Sequence, residues 1–377
     1  MRIVIAPDKF KGSLDAAEVC AHLAAGIRAV LPAAEICTAP MADGGEGTVD
    51  AAIAAGFARR TRQVTGPLGA PVHASFALRD DQAVIELAAA SGLLLIDEPD
   101  RDALAADTRG TGELIAAALD EGARRIVLAV GGSASTDGGT GILKALGAKF
   151  LDAAGRVLAP GGGALHTLDR IDLAGFDPRI FKTDIVLASD VDHLLTGDFG
   201  AARVFAPQKG ASESQVELLE AGLQRLAEVV RGLLPGVPDH AISPGAGAAG
   251  GVGFGALAML GARRRAGAEI VAEVIDLAGL VQGAAHRADL VITGEGSFDA
   301  QSLGGKTPMG VLGVARELGV PTVLVCGRAL GGAEVWRDAG FSACHAVSEL
   351  APDAATSMRD AGVYLERIGS EIARTLV

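Results

Sequence analysis

The sequence predicts an α/β protein with two domains. Short apolar runs alternate with amphipathic runs along most of the chain, a pattern typical of parallel strands joined by helical crossovers. Glycine-rich loops follow several apolar runs, and 52 of the 377 residues are glycine. A chain of this length exceeds one ordinary domain. A β-rich stretch from Arg59 to Leu87 interrupts the alternation and indicates a domain boundary near Thr65.

The predicted elements follow one another as strand, loop and helix. Arg2 to Ala6 begins the chain as a strand, and Ser13 is a favourable N-cap for a helix that runs to about Val30. The later strands are predicted at Glu35–Ala39, Gln63–Thr65, Val72–Leu78, Ala83–Leu87, Arg125–Val130, Asp184–Ala188, Ala288–Thr293 and Pro321–Cys326. The later helices are predicted at Thr48–Ala55, Thr111–Gly122, Ser212–Leu234 and Thr307–Leu318. Ligands of such folds bind beyond the carboxyl ends of parallel strands, where the glycine-rich loops lie.

Composition excludes several classes of function. The formal net charge of -13 argues against a nucleic-acid partner, which needs an extended basic face. The four cysteines form no C-x-x-C pair and no secretory pattern opens the chain, so we expect reduced thiols in the cytoplasm. No histidine motif indicates a zinc site. A homo-oligomer is compatible with the sequence.

One uncharged segment has the length of a membrane span. Residues 241–262 carry no charge over 22 positions, but they include seven glycines and one proline. We therefore interpret this segment as a glycine-rich loop that leads into a buried helix, and we expect no membrane partner. The run Arg263 to Arg265 that follows is interpreted as the solvated end of that helix.

Two loops combine carboxylates or hydroxyls with glycines. The stretch Met41 to Thr48 contains two carboxylates and three glycines, which suits either an anion and metal site or a tight turn before a helix. The stretch Gly131 to Gly139 offers Ser133, Ser135 and Asp137 among four glycines. Its hydroxyls and amides suit a triphosphate, or an N-cap for the next helix. Local evidence leaves both alternatives open.

Asp190 and Asp192 follow a strongly apolar strand. Two residues apart on an extended segment, they face the same side. Mg²⁺ ligation or a general base is the functional interpretation, and a turn or helix cap is the structural one.

Two segments resemble familiar nucleotide motifs without their context. Gly245 to Gly250 matches G-x-G-x-x-G, but no convincing strand precedes it, so an oxidoreductase with a nucleotide cofactor is only an alternative. Gly304 to Thr307 resembles the end of a P-loop that lacks its first glycine. Cations in or beside glycine- or proline-marked loops, which could neutralise a phosphate or a carboxylate, are Lys9, Lys11, Arg109, Lys209 and Lys306.

Taken in order, the loops resemble those of the bacterial type-1 glycerate kinases over the whole chain. The matching segments are Ala6–Ser13, Met41–Thr48, Val64–Gly69, Gly110–Glu113, Gly131–Gly139, Asp190–Asp192, Pro207–Gly210, Gly245–Gly251 and Thr293–Gly296. The resemblance implies a Rossmann-like parallel-sheet domain, residues 1–65 plus 285–377, with a second α/β domain, residues 66–284, inserted into it. It also implies ATP-dependent, Mg²⁺-assisted phosphorylation of D-glycerate in a cleft between the domains. The expected product is 2-phosphoglycerate, with 3-phosphoglycerate as the alternative and a non-catalytic metabolite-binding protein as a further one.

The resemblance assigns expected roles to individual residues. The catalytic set is Asp190, Lys11 and Lys209, and the metal ligands are Asp190 and Asp192. Substrate binding is expected from Asp8, Asp43, Glu46 and Arg109. Nucleotide binding is expected from Gly131, Gly132, Ser133, Asp137, Gly245, Gly247, Gly250, Glu295 and Lys306. The sequence departs from the family at Ser297, where arginine is common, and at His193 and Thr136, where asparagine is.

Overall fold

The computed structural model describes every residue from Met1 to Val377 and divides them into two compact units. Unit 1 consists of Met1–Asp43, Asp50–Gly56 and Ala266–Val377, and unit 2 of Gly44–Val49 and Phe57–Arg265.

The chain forms thirteen strands. They are β1 (Arg2–Pro7), β2 (Glu35–Thr38), β3 (Ala58–Thr65), β4 (Pro71–Arg79), β5 (Gln82–Glu86), β6 (Arg125–Ala129), β7 (Lys149–Leu151), β8 (Arg170–Asp172), β9 (Asp184–Ala188), β10 (Arg263–Arg265), β11 (Leu290–Phe298), β12 (Thr322–Ala329) and β13 (Ala343–Ala346).

Fifteen α-helices and seven single-turn 3₁₀ helices connect the strands. The α-helices are α1 (Ala16–Val30), α2 (Thr48–Ala54), α3 (Ala88–Ser91), α4 (Arg109–Asp120), α5 (Thr140–Ala145), α6 (Ala201–Phe205), α7 (Glu213–Leu233), α8 (Ala248–Met259), α9 (Gly267–Val274), α10 (Leu277–Gln282), α11 (Thr307–Glu317), α12 (Ala333–Ala339), α13 (Val347–Leu350), α14 (Ala354–Arg359) and α15 (Ala361–Arg374). The 3₁₀ helices are Leu93–Leu95, Glu98–Asp100, Leu165–Thr167, Ile180–Lys182, Pro207–Lys209, His240–Ile242 and Ser302–Gly304.

Unit 1 is built on a five-stranded parallel sheet with the strand order β13-β12-β11-β1-β2. The central strands β1 and β11 are apolar and buried, and Pro7 lies opposite Gly294 in their register. The Asp8 amide then donates to the Gly294 carbonyl at 2.8 Å. The loops that follow β1 and β11 therefore start side by side at one edge of the sheet.

Unit 2 is built on a six-stranded mixed sheet with the strand order β10-β9-β6-β5-β4-β3. Strands β3, β4 and β5 pair antiparallel, whereas β5, β6, β9 and β10 are parallel. Ala129 at the end of β6 lies opposite both Glu86 and Ala188. The loops after β5, β6 and β9 consequently start at the same edge of this sheet.

The predicted α/β fold is confirmed, and two local predictions are wrong. Ser13 does not cap α1, because the N-cap is Asp15, which exchanges side-chain and backbone hydrogen bonds with Glu18 at 2.8 and 2.9 Å. Arg263–Arg265 is not the end of a helix but the strand β10, which pairs with β9. Strand β3, which the predicted boundary leaves in the first domain, pairs with β4 inside unit 2.

The uncharged segment 241–262 forms a loop and the helix α8, as predicted. Near the start of α8, Ala249, Gly250 and Gly251 have left-handed backbone conformations, with φ of 53°, 69° and 91°. No helix of the protein combines the length and the apolar character that a membrane span requires.

Candidate active site

Unit 1 contains a pocket of about 640 Å³, and every residue that lines it belongs to this unit. Strand β11 and the loops after β1 and β11 supply its charged side, with Asp8, Lys9, Lys11, Glu295 and Lys306. The volume lies in the range of sites for small molecules. Five residues that the sequence predicts for the site, Asp8, Lys11, Asp43, Glu295 and Lys306, thus line one pocket.

Asp8 is the buried carboxylate at the end of β1. One of its oxygens accepts a hydrogen bond from the Lys9 amide at 2.7 Å, and the other accepts one from the Thr307 hydroxyl at 2.7 Å. Burial and, to a smaller extent, the negative charge of Asp43 together raise the pKa of Asp8 to about 6. Two neighbouring carboxylates of this kind favour a shared proton or a bound cation.

Glu295 lies on β11 and lines the same pocket as Lys306. The positive charge of Lys306 acts on the Glu295 carboxylate. Burial raises the pKa of Glu295 to about 7, while Ser302 and Lys306 act in the opposite direction. Its Oε1 atom is buried and has no hydrogen-bond partner. A carboxylate with a pKa near neutrality suits proton transfer.

Arg328 adds a cation that the sequence did not predict. It lies on β12 opposite Ser297 of β11, and its Nε donates to the Ser297 hydroxyl at 3.0 Å. Both residues line the pocket. The local sequence gives no signal for Arg328, because only the pairing of β11 with β12 brings it beside Ser297.

Lys209 is a buried lysine in unit 2. It is 2% exposed, and its Nζ donates to the Ser133 hydroxyl at 2.8 Å and to the Ser135 carbonyl. Burial lowers the pKa of Lys209 to about 7. In this conformation the lysine ties the loop after β6 to the segment after α6.

Asp137 is a buried carboxylate of unit 2 that accepts four hydrogen bonds. It is fully buried and accepts hydrogen bonds from the amide and hydroxyl of Thr108, at 3.1 and 2.8 Å. It also accepts from the amides of Gly139 and Gly141, at 3.1 and 2.9 Å. The side chain therefore organises the start of α5, and it presents no oxygen to a ligand in this conformation.

Three of the glycines predicted to bind nucleotide, Gly131, Gly247 and Gly250, pack against protein backbone. A Cβ on Gly131 would lie 2.7 Å from Gly45 Cα, and one on Gly250 would clash with the Ser135 carbonyl. The Gly250 carbonyl accepts a hydrogen bond from the Gly138 amide at 3.0 Å. The loops at Gly131–Gly139 and Gly245–Gly251 thus pack closely against each other, and this packing by itself requires glycine.

Asp190 and Asp192 follow β9, as predicted, but they differ in surroundings. Asp190 is half-buried, whereas the Asp192 carboxylate is exposed and pairs with Arg264 at 2.7 Å. Arg264 also donates from Nε to the Ser189 carbonyl at 3.1 Å. Arg264 therefore contacts the loop after β9 and is not the solvated helix end that the sequence predicts.

The remaining predicted residues lie at the surface of unit 2. Arg109 begins α4, and its Nε donates to Glu113 Oε1 at 3.0 Å. Glu46 is exposed in the loop before α2. Gly132 adopts a positive φ of 74° in the loop after β6.

Carboxylates and cations beyond the carboxyl ends of parallel strands define an α/β enzyme site for a small anionic molecule. Comparison with known proteins identifies the family to which this enzyme belongs. The family model described as "Glycerate kinase family" matches residues 3–377. This chain belongs to the glycerate kinase family, which confirms the resemblance, and it is an enzyme of the kinase class.

Relatives match over nearly their full length. Glycerate 2-kinase of Escherichia coli (strain K12) is 45% identical, with 100% of this chain and 98% of the relative covered. Glycerate kinase of Bacillus subtilis (strain 168) is 42% identical at the same coverage. A crystal structure from Salmonella typhimurium LT2, assigned as glycerate kinase 2, superimposes with a TM-score of 0.86 at 39% identity. That comparison covers 100% of this chain and 98% of the crystallised one.

Proposed function

We propose that this enzyme transfers the terminal phosphoryl group of ATP to D-glycerate and releases 2-phosphoglycerate and ADP. The observation that carries the proposal is the charged side of the unit 1 pocket, where acids and cations converge at the ends of β1 and β11. The name of the Escherichia coli relative, glycerate 2-kinase, supports the choice of the hydroxyl.

Phosphoryl transfer depends mainly on positioning and on neutralisation of charge. In the proposed reaction a glycerate hydroxyl oxygen forms a bond to the γ-phosphorus, the bond from this phosphorus to the bridging oxygen breaks, and the electron pair leaves with ADP. Lys11 and Lys306 neutralise the anionic groups of the two substrates. Each lysine lines the pocket, within the same unit as the acids that it faces.

The hydroxyl proton needs an acceptor. Glu295 suits this role, because its pKa near 7 keeps it partly ionised at neutral pH and able to hold a proton. Asp190, the base that the sequence predicts, remains a second candidate. Glu295→Gln and Asp190→Asn separate them, since loss of the true base removes the acidic limb of the pH profile of kcat.

Magnesium fits the pocket as a partner of the nucleotide phosphates. No group of three or more His, Cys, Asp or Glu side chains in this protein is arranged to hold a metal ion. Mg²⁺ commonly takes only one or two carboxylates and completes its shell with phosphates and water. Asp8 and Asp43, whose proximity raises the pKa of Asp8, are the carboxylates that would hold it. When bound, Mg²⁺ neutralises charge on the phosphates. Asp192 suits the role less well, because Arg264 already neutralises it.

The predicted nucleotide-binding role of the unit 2 loops and the substrate roles of Glu46 and Arg109 remain predictions. The oxidoreductase alternative has no support. A 3₁₀ helix, His240–Ile242, and a turn precede Gly245, whereas the dinucleotide motif needs a strand that leads directly into it.

The test is a coupled assay of ADP formation with D-glycerate, ATP and Mg²⁺. We expect turnover with D-glycerate and none when the acid is omitted, and phosphorus NMR should identify 2-phosphoglycerate. The absence of turnover by folded protein would reject the function and would favour a metabolite-binding protein. Formation of 3-phosphoglycerate would reject the regiochemistry alone.

A further inference from the structure

The unit 1 pocket has two chemically different sides. The C-terminal helices contribute the second side of the lining, where Ala354 and Met358 are exposed beside Ser348 and Ser357. Ala354 and Met358 form what we call the apolar side. Ala354 begins α14 and Met358 lies on the same helix, whereas Val347 and Ala361 are buried and present almost no surface to the pocket. A three-carbon acid has no apolar surface that could cover this side.

The apolar side is held in place against the loop after β1. The Ser13 hydroxyl donates to the Met358 carbonyl at 2.6 Å, and a Cβ on Gly12 would lie 3.1 Å from Met358 Cε. The Met358 side chain is 51% exposed. A half-exposed thioether over a pocket can pack on a planar ring and adapt to its shape.

The charged side of the pocket includes Arg328, whose two terminal nitrogens are available as hydrogen-bond donors. Ser297 holds Nε of Arg328, and no hydrogen bond or ion pair within the protein involves the two terminal nitrogens. An arginine oriented in this way can bind a phosphate through two parallel hydrogen bonds. Lys306, on the same pocket lining, supplies a second cation.

The alternative location for a nucleotide is less open. In unit 2, a Cβ on Gly247 would clash with the Leu194 carbonyl, and one on Gly245 would lie 2.6 Å from Arg264 Cδ. Packing within unit 2 therefore accounts for these glycines, without any ligand.

We propose that the unit 1 pocket is the nucleotide site, with the purine and ribose on the apolar side at Ala354 and Met358 and the phosphates bound by Arg328 and Lys306. The choice of a nucleotide rests on the proposed function. The geometry of the pocket fits a ligand that has an apolar ring and an anionic tail.

Calorimetric titration of the full-length protein with ADP, without glycerate, tests the site. We expect Arg328→Gln to weaken ADP about tenfold and Ser297→Ala about threefold, because the second variant keeps the charge and loses only its tether. Met358→Ala should weaken ADP about fivefold through lost ring contact. Arg367→Gln is the matched control, because Arg367 lies on α15, pairs with Glu371 and does not line the pocket.

AMP and pyrophosphate test the ring-binding part and the phosphate-binding part of the site separately. Met358→Ala should weaken AMP and leave pyrophosphate unchanged, whereas Arg328→Gln should weaken pyrophosphate more than AMP. Thermal unfolding of each variant confirms that it is folded. The inference is overturned if wild-type protein fails to bind ADP, or if folded Arg328→Gln and Met358→Ala both bind it within twofold of wild type.

The outcomes separate this inference from the proposed function. If the variants weaken ADP but no glycerate is phosphorylated, the nucleotide site stands and the substrate is wrong. If glycerate is phosphorylated but the variants bind ADP normally, the function stands and the nucleotide lies elsewhere.

Discussion

Asp8 in unit 1 and Asp137 in unit 2 are both buried carboxylates near the carboxyl ends of parallel strands, yet their surroundings differ. Asp137 accepts four hydrogen bonds from Thr108, Gly139 and Gly141. Asp8 accepts two, has Asp43 as a neighbour, and has a pKa raised to about 6 mainly by burial. A buried charge that the fold fully satisfies is part of the scaffold, whereas one that the fold leaves short of partners is available for a ligand.

Lys209 and Lys306 differ in the same way as the two carboxylates, since one is bonded within the fold and the other faces a pocket. Lys209 is buried and bonded to the loop that contains Ser133 and Ser135, so it stabilises that loop. Lys306 lines an open pocket beside Glu295. If the contrast is right, substitutions in the unit 2 network should act mainly on stability, and substitutions in the unit 1 pocket mainly on binding and turnover.

The largest effect is expected for Asp137→Ala. The change leaves four buried donors without an acceptor, and we expect the free energy of unfolding to fall by about 4 kcal/mol. Urea unfolding followed by circular dichroism measures it. Glu217→Gln, which alters only an exposed pair with Arg203, is the control. A loss below about 1 kcal/mol for Asp137→Ala would contradict a scaffold role.

Lys209 should make the stability of unit 2 depend on pH. Its pKa is lowered from 10.5 to about 7, so the unfolded chain binds more protons between these values. Stability linked to this group is therefore full above pH 10.5 and is lost as the pH falls towards about 7.

Lys209→Met should remove this dependence. Between pH 7 and pH 9, the difference in the free energy of unfolding between wild type and variant should grow by about 1 kcal/mol per pH unit. Urea unfolding at several pH values provides the measurement. Parallel stability curves for the two proteins would show that Lys209 is not buried as a neutral amine.

Asp8→Asn should increase the stability of the protein and decrease its catalytic activity. Because the raised pKa of Asp8 is mainly due to burial, its stabilising contribution is full below about pH 3.8 and is lost as the pH rises through about 6. At pH 8 without divalent cations, the neutral asparagine should increase the free energy of unfolding by about 1 kcal/mol.

Turnover of Asp8→Asn with D-glycerate should fall at least about a hundredfold, since a carboxylate that would hold Mg²⁺ is lost. Thermal unfolding and the coupled assay together test this. Lower stability of the variant, or turnover near wild type, would place Asp8 with the scaffold residues.

The smallest effect is expected for Asp192→Asn. The carboxylate is exposed and its partner Arg264 has a second bond to the Ser189 carbonyl, so the free energy of unfolding should change by less than about 0.5 kcal/mol. The dependence of turnover on Mg²⁺ concentration is the second measurement. An unchanged half-saturating concentration is expected if Asp8 and Asp43 hold the metal, and a several-fold increase would support the predicted role of Asp192.

The sequence predicted the fold class and the family, because these depend on local patterns and on the order of many short motifs. The residues Asp8, Asp43, Glu295 and Lys306, which the resemblance assigned to the site, line one pocket, and their roles stay predictions. The sequence predicted the cap of α1 at Ser13 instead of Asp15, and the two residue types cap helices about equally well. The Glu18 side chain, three residues after Asp15, decided the matter.

Arg264 and Arg328 show why the remainder was not predictable. The first faces the Asp190–Asp192 loop only because β10 pairs with β9, and the second meets Ser297 only because β12 pairs with β11. Neither pairing is local, since Arg264 lies 75 residues from Ser189 and Arg328 lies 31 residues from Ser297. A single sequence does not reveal the register of such strands. The same limit applies to the glycines of unit 2, whose packing partners lie in other loops.

The pairing of β1 with β11 has a consequence for synthesis on the ribosome. The hydrogen bond from the Thr293 hydroxyl to the Ala6 carbonyl spans 287 positions, so one edge of β1 stays without its partner until most of the chain has been made. The central strands of the unit 2 sheet, by contrast, find their neighbours within the continuous stretch Phe57–Arg265. Nascent unit 2 can therefore fold first, while the apolar strand β1 must wait with an exposed edge, a state that favours aggregation. Chaperone dependence during translation should accordingly be greatest for the first strand of the protein.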